Sequence, residues 1–283
     1  MLRIAIQSKG RLYEESMALL EEAGIKIPGG KRTLLVPARN FPVEVLFLRD
    51  DDIPESVASG VADVGIVGLN EVMEKRCPVG ILKKLGFGKC RLSLAIPQDI
   101  DYQDRNWFSG KKIEPSYPGT LSDYLHKNGI VSDIHVITGS VEIAPGIRLA
   151  DAIFDIVSSG STLVSNRLKE VETVVESEAV LIGTDSISPE KRGILDELLF
   201  RFDSVQAADD KKYILMNVPQ KKLNDVLSVL PGIKSPTVMP LADKEWCSVH
   251  TVLDEKCFWE IINRLKTAGA EGILVLDIEK MIL

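Results

Sequence analysis

Apolar and polar positions along this chain fall into short apolar runs separated by stretches with helical spacing. The run LRIAIQ (2–7) reads as a strand. RLYEESMALLEEAG (11–24) reads as a helix with Leu12, Ser16, Leu19, Leu20 and Ala23 on one face and Gly24 as its stop. The strand VEVLFLR (43–49) follows, then a helix opened by Asp52 and Pro54 and ended by Gly60. DVGIVG (63–68) and RLSLAIP (91–97) are further strands. After the segment KKIEPS (111–116) come a helix, GTLSDYLHKNG (119–129), and a strand, IHVIT (134–138). A short helical connector (140–151) leads into the strand AIFDIV (152–157), the helix TLVSNRLKEV (162–171) and the strands ETVVES (172–177) and AVLIGT (179–184). This alternation predicts mainly parallel sheets with helices on both faces.

The segment 188–212 reads as a helix running into a polar boundary. Beyond it the order is strand (213–219), helix (221–231), two strands (235–242 and 246–254), helix (255–269) and strand (271–278). That βαββαβ order is the ferredoxin-like pattern. Its second helix puts Phe258, Ile261, Ile262, Leu265 and Ala268 on one stripe, and Trp246, Phe258 and Trp259 are expected in its core.

Bulk properties narrow the function classes. A net charge of −7 argues against a broad nucleic-acid or anionic-membrane surface, and no apolar run approaches the roughly 20 residues of a membrane span. The chain opens directly on a strand, without the apolar region of a signal peptide, so a cytoplasmic protein is expected. Cys77, Cys90, Cys247 and Cys257 are scattered, which disfavours disulfides and a structural zinc. His126, His135 and His250 are isolated, and none is assigned to catalysis. No GxGxxG follows a predicted strand, which disfavours a dinucleotide enzyme.

The most informative stretch is DAIFDIVSSGSTL (151–163), an apolar strand with two acids that runs into a hydroxyl-rich turn. A helix starting near Thr162 would point unpaired N–H groups outward, where an anion is favoured. Gly160 would let the backbone curve closely, and Ser158, Ser159, Ser161 and Thr162 would add neutral donors. Without the lysine of a P-loop, a single terminal phosphate fits better than a nucleotide's. Asp151 and Asp155 are four apart and share a strand face, so they can hold ribose hydroxyls or a magnesium ion (Mg2+) beside that phosphate. The same residues also read as a plain helix cap, and spacing alone leaves both readings open.

The run from Glu142 to Leu163, EIAPGIRLADAIFDIVSSGSTL, closely resembles the signature of the ATP phosphoribosyltransferases, which open histidine biosynthesis. Glu142, Ala150, Ile153, Asp155, Ser159, Gly160, Thr162 and Leu163 stand at matching spacing, whereas Arg148 replaces the family's usual glycine. LRIAIQSKGRL, LRDDDIPESVASGVADVGIVG, CRLSLAIP and SYP also resemble family segments. The likeness runs end to end, and the ferredoxin-like tail marks the long form of the family.

The resemblance implies an α/β fold. A two-lobed catalytic part of periplasmic-binding-protein type would comprise lobe I (1–95 and 180–208) and lobe II (96–179), followed by an ACT-like, histidine-binding regulatory domain (209–283). It implies transfer of phosphoribosyl from 5-phosphoribosyl 1-pyrophosphate (PRPP) to N1 of ATP, with release of pyrophosphate, in a homo-oligomer ranging from dimer to hexamer. Asp151 and Asp155 would hold ribose or Mg2+, and Ser158 to Thr162 the 5′-phosphate. Lys9, Arg11 and Arg49 would bind pyrophosphate or the ATP phosphates, while Asp63, Gly65 and Gly68 would shape the adenine side. Lys9 and Arg11 also read as helix-start surface charges, and Gly65 as tight strand packing. Asp50, Asp51 and Asp52 resemble a metal cluster but read more simply as acids at a helix start. L-histidine would be held near Ser235, Thr237, Leu241, Asp243 and Ala270 against a neighbouring subunit. The rival readings are a solute-binding module and a regulatory subunit without activity; an intact loop from Asp155 to Thr162 argues against both.

Overall fold

The structure, a computed structural model, describes residues 1–28, 33–136, 140–231 and 236–282. Two compact units divide the chain, Met1–Glu197 and Leu198–Leu283. The first opens with β1 (Leu2–Gln7), α1 (Arg11–Glu22), β2 (Leu35–Pro37), β3 (Val43–Leu48), α2 (Ile53–Ala58), β4 (Val64–Gly68), α3 (Leu69–Lys75) and β5 (Gly80–Lys84). It continues with β6 (Cys90–Pro97), β7 (Lys112–Pro115), α4 (Pro118–Lys127), β8 (Asp133–Ile134), β9 (Ala152–Val157), α5 (Ser161–Ser165), β10 (Leu168–Ser177) and β11 (Ala179–Gly183). Helix α6 (Pro189–Ala208) carries the chain across the division between the units.

Two sheets build the first unit. One has the order β2-β3-β1-β4-β11-β5, the other β10-β6-β9-β7-β8. The chain passes between them after β5 and returns after β10. The two crossings are bonded to each other, Leu85 N–H to Ala179 O and Ala179 N–H to Phe87 O, both at 2.9 Å. Two lobes joined by adjacent crossings are the arrangement of periplasmic-binding proteins. β6 lies whole in the second sheet, so the lobe boundary expected at 95/96 falls inside a strand.

The sheets are mixed, not mainly parallel. β1 runs parallel to β3 and β4, and β9 to β7, but β11 is antiparallel to β4 and β5, and β6 is antiparallel to β9 and β10. The crossing strands cause this, because each enters a sheet against the direction of the strand it joins. The helix expected over 162–171 also stops early. Arg167 turns left-handed at φ 55°, and from Leu168 onward the backbone pairs with β6. β8 is two residues long, and residues 137 and 138 of the expected strand lie outside the described residues.

Buried apolar side chains explain the lobes. Ser16, Leu19 and Leu20 are the buried face of α1, as the spacing predicts. Phe154 of β9, Leu92 and Leu94 of β6 and Phe108 form the centre of the second lobe and are fully buried. Burying each such side chain is worth about 1.5–3 kcal/mol. The opposite face of β9 carries Ile153 and Val157 against Val141 and Leu163, which fixes where the strand ends and the hydroxyl-rich turn begins.

The second unit contains β12 (Lys211–Pro219), α7 (Leu223–Val229), β13 (Thr237–Pro240), β14 (Trp246–Asp254), α8 (Glu255–Ala268) and β15 (Glu271–Asp277). Its sheet is ordered β13-β14-β12-β15 and every pair is antiparallel, the ferredoxin-like arrangement. Phe258, Ile261 and Leu265 of α8 pack on Ile214, Met216 and Val249. Trp259 departs from the expectation and is 65% exposed, one position off the buried stripe.

Candidate active site

The turn after β9 closes a cavity of about 450 Å³ between the two lobes. Val157 is the last strand residue, Gly160 takes φ 81°, and α5 starts at Ser161. A positive φ is cheap only for glycine, so this residue makes the tight reversal possible. Ser159 and Ser161 face each other, Oγ to Oγ, at 3.0 Å. Ser158, Ser159, Gly160 and Thr162 line the cavity, and the first-turn N–H groups of α5 have no partner within the helix. The hydroxyls and N–H groups of the turn, which carries no cation in its own sequence, suit one phosphate group.

Asp155 stands beside this turn on β9, half-buried on the cavity wall with Glu142. Burial pushes its carboxyl above the ordinary aspartate value. A hydrogen bond from the Ser116 side chain and the Ile156 N–H work against that rise, while Glu142 adds to it. Two neighbouring carboxylates in a partly dry wall suit the vicinal hydroxyls of a ribose. Glu142 was legible only as part of the signature run, and it reaches the wall because a 3₁₀ turn (Val141–Ile143) packs on β9.

Asp151 does not join them. It precedes β9, and its carboxylate accepts from the Lys112 N–H at 2.9 Å at the other end of the strand. Four strand residues span about 13 Å, so the two acids cannot grip one ribose or one ion. The shared strand face is correct in parity, but parity does not bring residues together.

The first lobe contributes Arg11, the first residue of α1. Its Nη1 donates to Ser158 Oγ at 2.9 Å and its Nη2 to the Lys89 carbonyl at 3.4 Å. Gly68 lines the cavity because Asn70 folds back over it, where a Cβ would collide with the Asn70 amide. Behind it lies a buried polar network that spacing gave no reason to expect. Asn70 Nδ2 donates to Tyr117 Oη at 3.0 Å, Tyr117 Oη donates to Glu71 Oε1 at 3.0 Å, and Ser177 Oγ donates to Asn70 Oδ1 at 2.8 Å. Asn70, Glu71 and Tyr117 all line the cavity. Burial raises the Glu71 carboxyl above the ordinary glutamate value, the Tyr117 bond lowers it, and Asp50 raises it again. Burial and Glu71 together push the Tyr117 hydroxyl up, so it stays a donor at any physiological pH. Just outside, Glu74 accepts from the N–H groups of Gly119 and Thr120, both at 2.8 Å, and so caps α4 from the other lobe.

The remaining expected residues sit elsewhere. Lys9 is exposed in the turn before α1. Arg49 is 77% exposed and pairs with Asp51 at 3.1 Å. Asp63 precedes β4 at the end away from Gly68, where Lys191 Nζ and the Arg3 N–H hold it at 2.8 Å, and it does not line the cavity. Gly65 is a packing glycine, since a Cβ there would come within 2.6 Å of Ile53 Cγ2. Ser161 touches the turn through Ser159 and does not line the cavity. Asp52 occupies the N-cap of α2 but makes no side-chain capping bond. Arg148 takes φ 60°, the conformation for which glycine is the usual choice.

In the second unit, Thr237 is exposed on β13, while Leu241 and Asp243 lie in the turn to β14, where Asp243 accepts from the Glu245 N–H at 2.9 Å. Ala270 is buried just before β15, and Ser235 lies outside the described residues.

A two-lobed α/β fold with a hydroxyl turn, an acid pair and a cross-lobe arginine around one cavity has the chemistry that suits an enzyme class acting on phosphorylated sugars. Residues 49–204 match the family HisG: ATP phosphoribosyltransferase, and residues 208–280 match HisG, C-terminal domain. The chain is 69% identical over 283 residues to an ATP phosphoribosyltransferase of Bacteroides fragilis, covering 100% of both. It is 57% identical over 281 residues to one of Cytophaga hutchinsonii, covering 99% of this chain and 98% of the relative. Among solved structures, the ATP phosphoribosyl transferase (HisG:HisZ) complex from Thermotoga maritima aligns with TM-score 0.62 at 26% identity, over 71% of this chain and 96% of that one. The chain therefore belongs to the ATP phosphoribosyltransferase family, glycosyltransferase-type enzymes of histidine biosynthesis that use ATP and PRPP and normally need a divalent metal. Among the described residues no helix is long and apolar enough to cross a membrane.

Proposed function

We propose that PRPP lies along the second-lobe wall of the cavity, with its 5′-phosphate in the turn Ser158–Thr162 and its ribose hydroxyls on Asp155 and Glu142. Arg11 and the exposed cation of Lys9 face the pyrophosphate end, and the adenine of ATP enters along the first-lobe wall at Gly68 and Asn70, beside Tyr117 of the second lobe. One observation carries this reading: the turn, Asp155, Glu142 and Arg11 all meet at one cavity although they come from both lobes.

The N1 lone pair of adenine forms the new bond to the anomeric carbon, and the electron pair of the breaking C–O bond leaves with pyrophosphate. N1 needs no general base to attack. The chain's own task is positioning and charge stabilisation: Asp155 and Glu142 hold the sugar as positive charge grows on it, and Arg11 faces the departing anion. Among the described residues no group of three or more His, Cys, Asp or Glu gathers to cage an ion. The wall nevertheless fits Mg2+, which usually keeps several waters and is held by substrate phosphates plus one or two carboxylates. When bound, Mg2+ would neutralise charge on the leaving pyrophosphate.

Feedback by L-histidine falls to the second unit. Thr237 on β13 and Ala270 before β15 stand at opposite edges of the four-stranded sheet, about 14 Å apart by strand spacing. One histidine can touch both only where edges of two copies meet, which supports a homo-oligomer. The use of ATP and PRPP as substrates supports a cytoplasmic reaction.

The test is pyrophosphate release from the full chain with ATP, PRPP and Mg2+, repeated with L-histidine. Release that needs both substrates and falls with histidine supports the whole reading. Release indifferent to histidine removes the regulatory part, and release without ATP removes the transfer.

A further inference from the structure

The hydroxyl turn is held from outside the cavity by a charged pair that the proposed chemistry does not use. Arg91 lies on β6, where its backbone is in register with Val157, the last residue of β9. Its guanidinium makes a two-pronged contact with Glu170 of β10, Nε to Oε1 and Nη2 to Oε2, both at 2.5 Å. The third arm, Nη1, donates to the Ser158 carbonyl at 3.2 Å. Glu170 is fixed in turn by Ser93 Oγ at 2.7 Å and Thr173 Oγ1 at 3.1 Å. Arg91 holds the Glu170 carboxyl well below the ordinary glutamate value, down to about 2, so the pair is charged at every working pH.

A fork bound at two points leaves Nη1 little freedom, and such pairs are stronger and better oriented than single contacts. The peptide from Ser158 to Ser159 is planar and trans. With its carbonyl held by Arg91, its N–H must point the opposite way. A free carbonyl at this position could swing into the cavity and present its negative end to an incoming phosphate. Arg11 holds the Ser158 hydroxyl at the same time, so residue 158 is pinned through both backbone and side chain.

We propose that Arg91 is a positioning residue for the phosphate turn, and that Glu170 serves by holding Arg91 in that orientation. Neither residue lines the substrate cavity. The inference rests on the reading of Ser158–Thr162 as the grip on the 5′-phosphate.

Steady-state kinetics and thermal unfolding of the full chain test it, with Arg91→Lys, Arg91→Met, Glu170→Gln and Gly160→Val. Arg91→Met and Glu170→Gln should raise KM for PRPP by about tenfold or more while KM for ATP stays within about threefold. Arg91→Lys, which keeps the positive charge but loses the planar fork, should fall between wild type and Arg91→Met. The double variant Arg91→Met/Glu170→Gln should be no worse than the worse single change, because the two act as one unit. Inorganic phosphate as a competitor of PRPP should weaken in parallel. If Arg91 and Glu170 variants lower only the Tm, or raise both KM values equally, the pair is merely structural and the inference falls. If Gly160→Val raises KM for PRPP and they do not, the phosphate turn stands without the clamp. If Gly160→Val also leaves it unchanged, the reading of the turn fails first.

Discussion

Arg11 and Ser158 are 147 residues apart, yet the Arg11 guanidinium donates to the Ser158 hydroxyl at 2.9 Å across the cavity from one lobe to the other. This contact joins the start of the first helix to the start of the phosphate turn, so one side chain touches both halves of the proposed site. Arg11→Ala should lower kcat/KM by about 10²–10³-fold, the loss of one or two charge-assisted bonds. Arg11→Lys should recover part of it. Comparison of kcat/KM for both substrates checks this, and wild-type values in Arg11→Ala would place the arginine outside the reaction.

Gly160 at φ 81° tests the turn itself. A β-branched residue there costs about 1–3 kcal/mol of backbone strain and displaces the donors around it. Gly160→Val should lose at least about 100-fold in kcat/KM for PRPP while the circular dichroism spectrum stays native.

Arg148 sits at φ 60° where glycine is usual in the family. Arg148→Gly should relieve roughly 1 kcal/mol of left-handed strain and raise the Tm by about 2–4 °C. A drop in Tm would show that the arginine side chain contributes more than its backbone costs.

Glu71 is buried beside Tyr117 and its carboxyl is raised by that burial. A carboxyl whose folded value exceeds its unfolded one contributes stability that is complete below the ordinary glutamate value and is lost as pH rises through the folded value. Glu71→Gln keeps the shape and an acceptor for Tyr117 without a charge to bury. The variant should therefore be more stable than wild type at pH 7–8, by about 2–4 °C in Tm, and the gap should vanish near pH 4. A gap that widens on acidification would reverse the assignment.

Much of this was legible from residues alone, and the limits have a physical cause. Strand AIFDIV, the turn Ser158–Gly160 and the terminal βαββαβ order follow from local signals, because periodicity and glycine placement act within a few residues. Asp151 and Asp155 show where spacing misleads: period two assigns a face, but position along the strand decides who meets whom. Asp63 is expected on the adenine side because it opens DVGIVG with Gly65 and Gly68, yet it stands at the end of β4 away from Gly68 and binds Lys191, 128 residues away. The Asn70–Tyr117–Glu71 network and the Arg91–Glu170 pair join residues 46 to 79 apart, across the lobes or across strands, and no local pattern announces them. The helix expected over 162–171 failed because β10 gains a ladder with β6 that a lone segment cannot reveal.

The central claim is that the ribose and its phosphate lie at Asp155 and the turn, not at Asp151. Pyrophosphate release by wild type, Asp155→Asn and Asp151→Asn, each with ATP, PRPP and Mg2+, tests it most directly. Asp155→Asn should lose at least about 100-fold in kcat/KM for PRPP, while Asp151→Asn should stay within about threefold of wild type. Loss in Asp151→Asn with full turnover in Asp155→Asn would contradict the account and move the substrate to the other end of the strand.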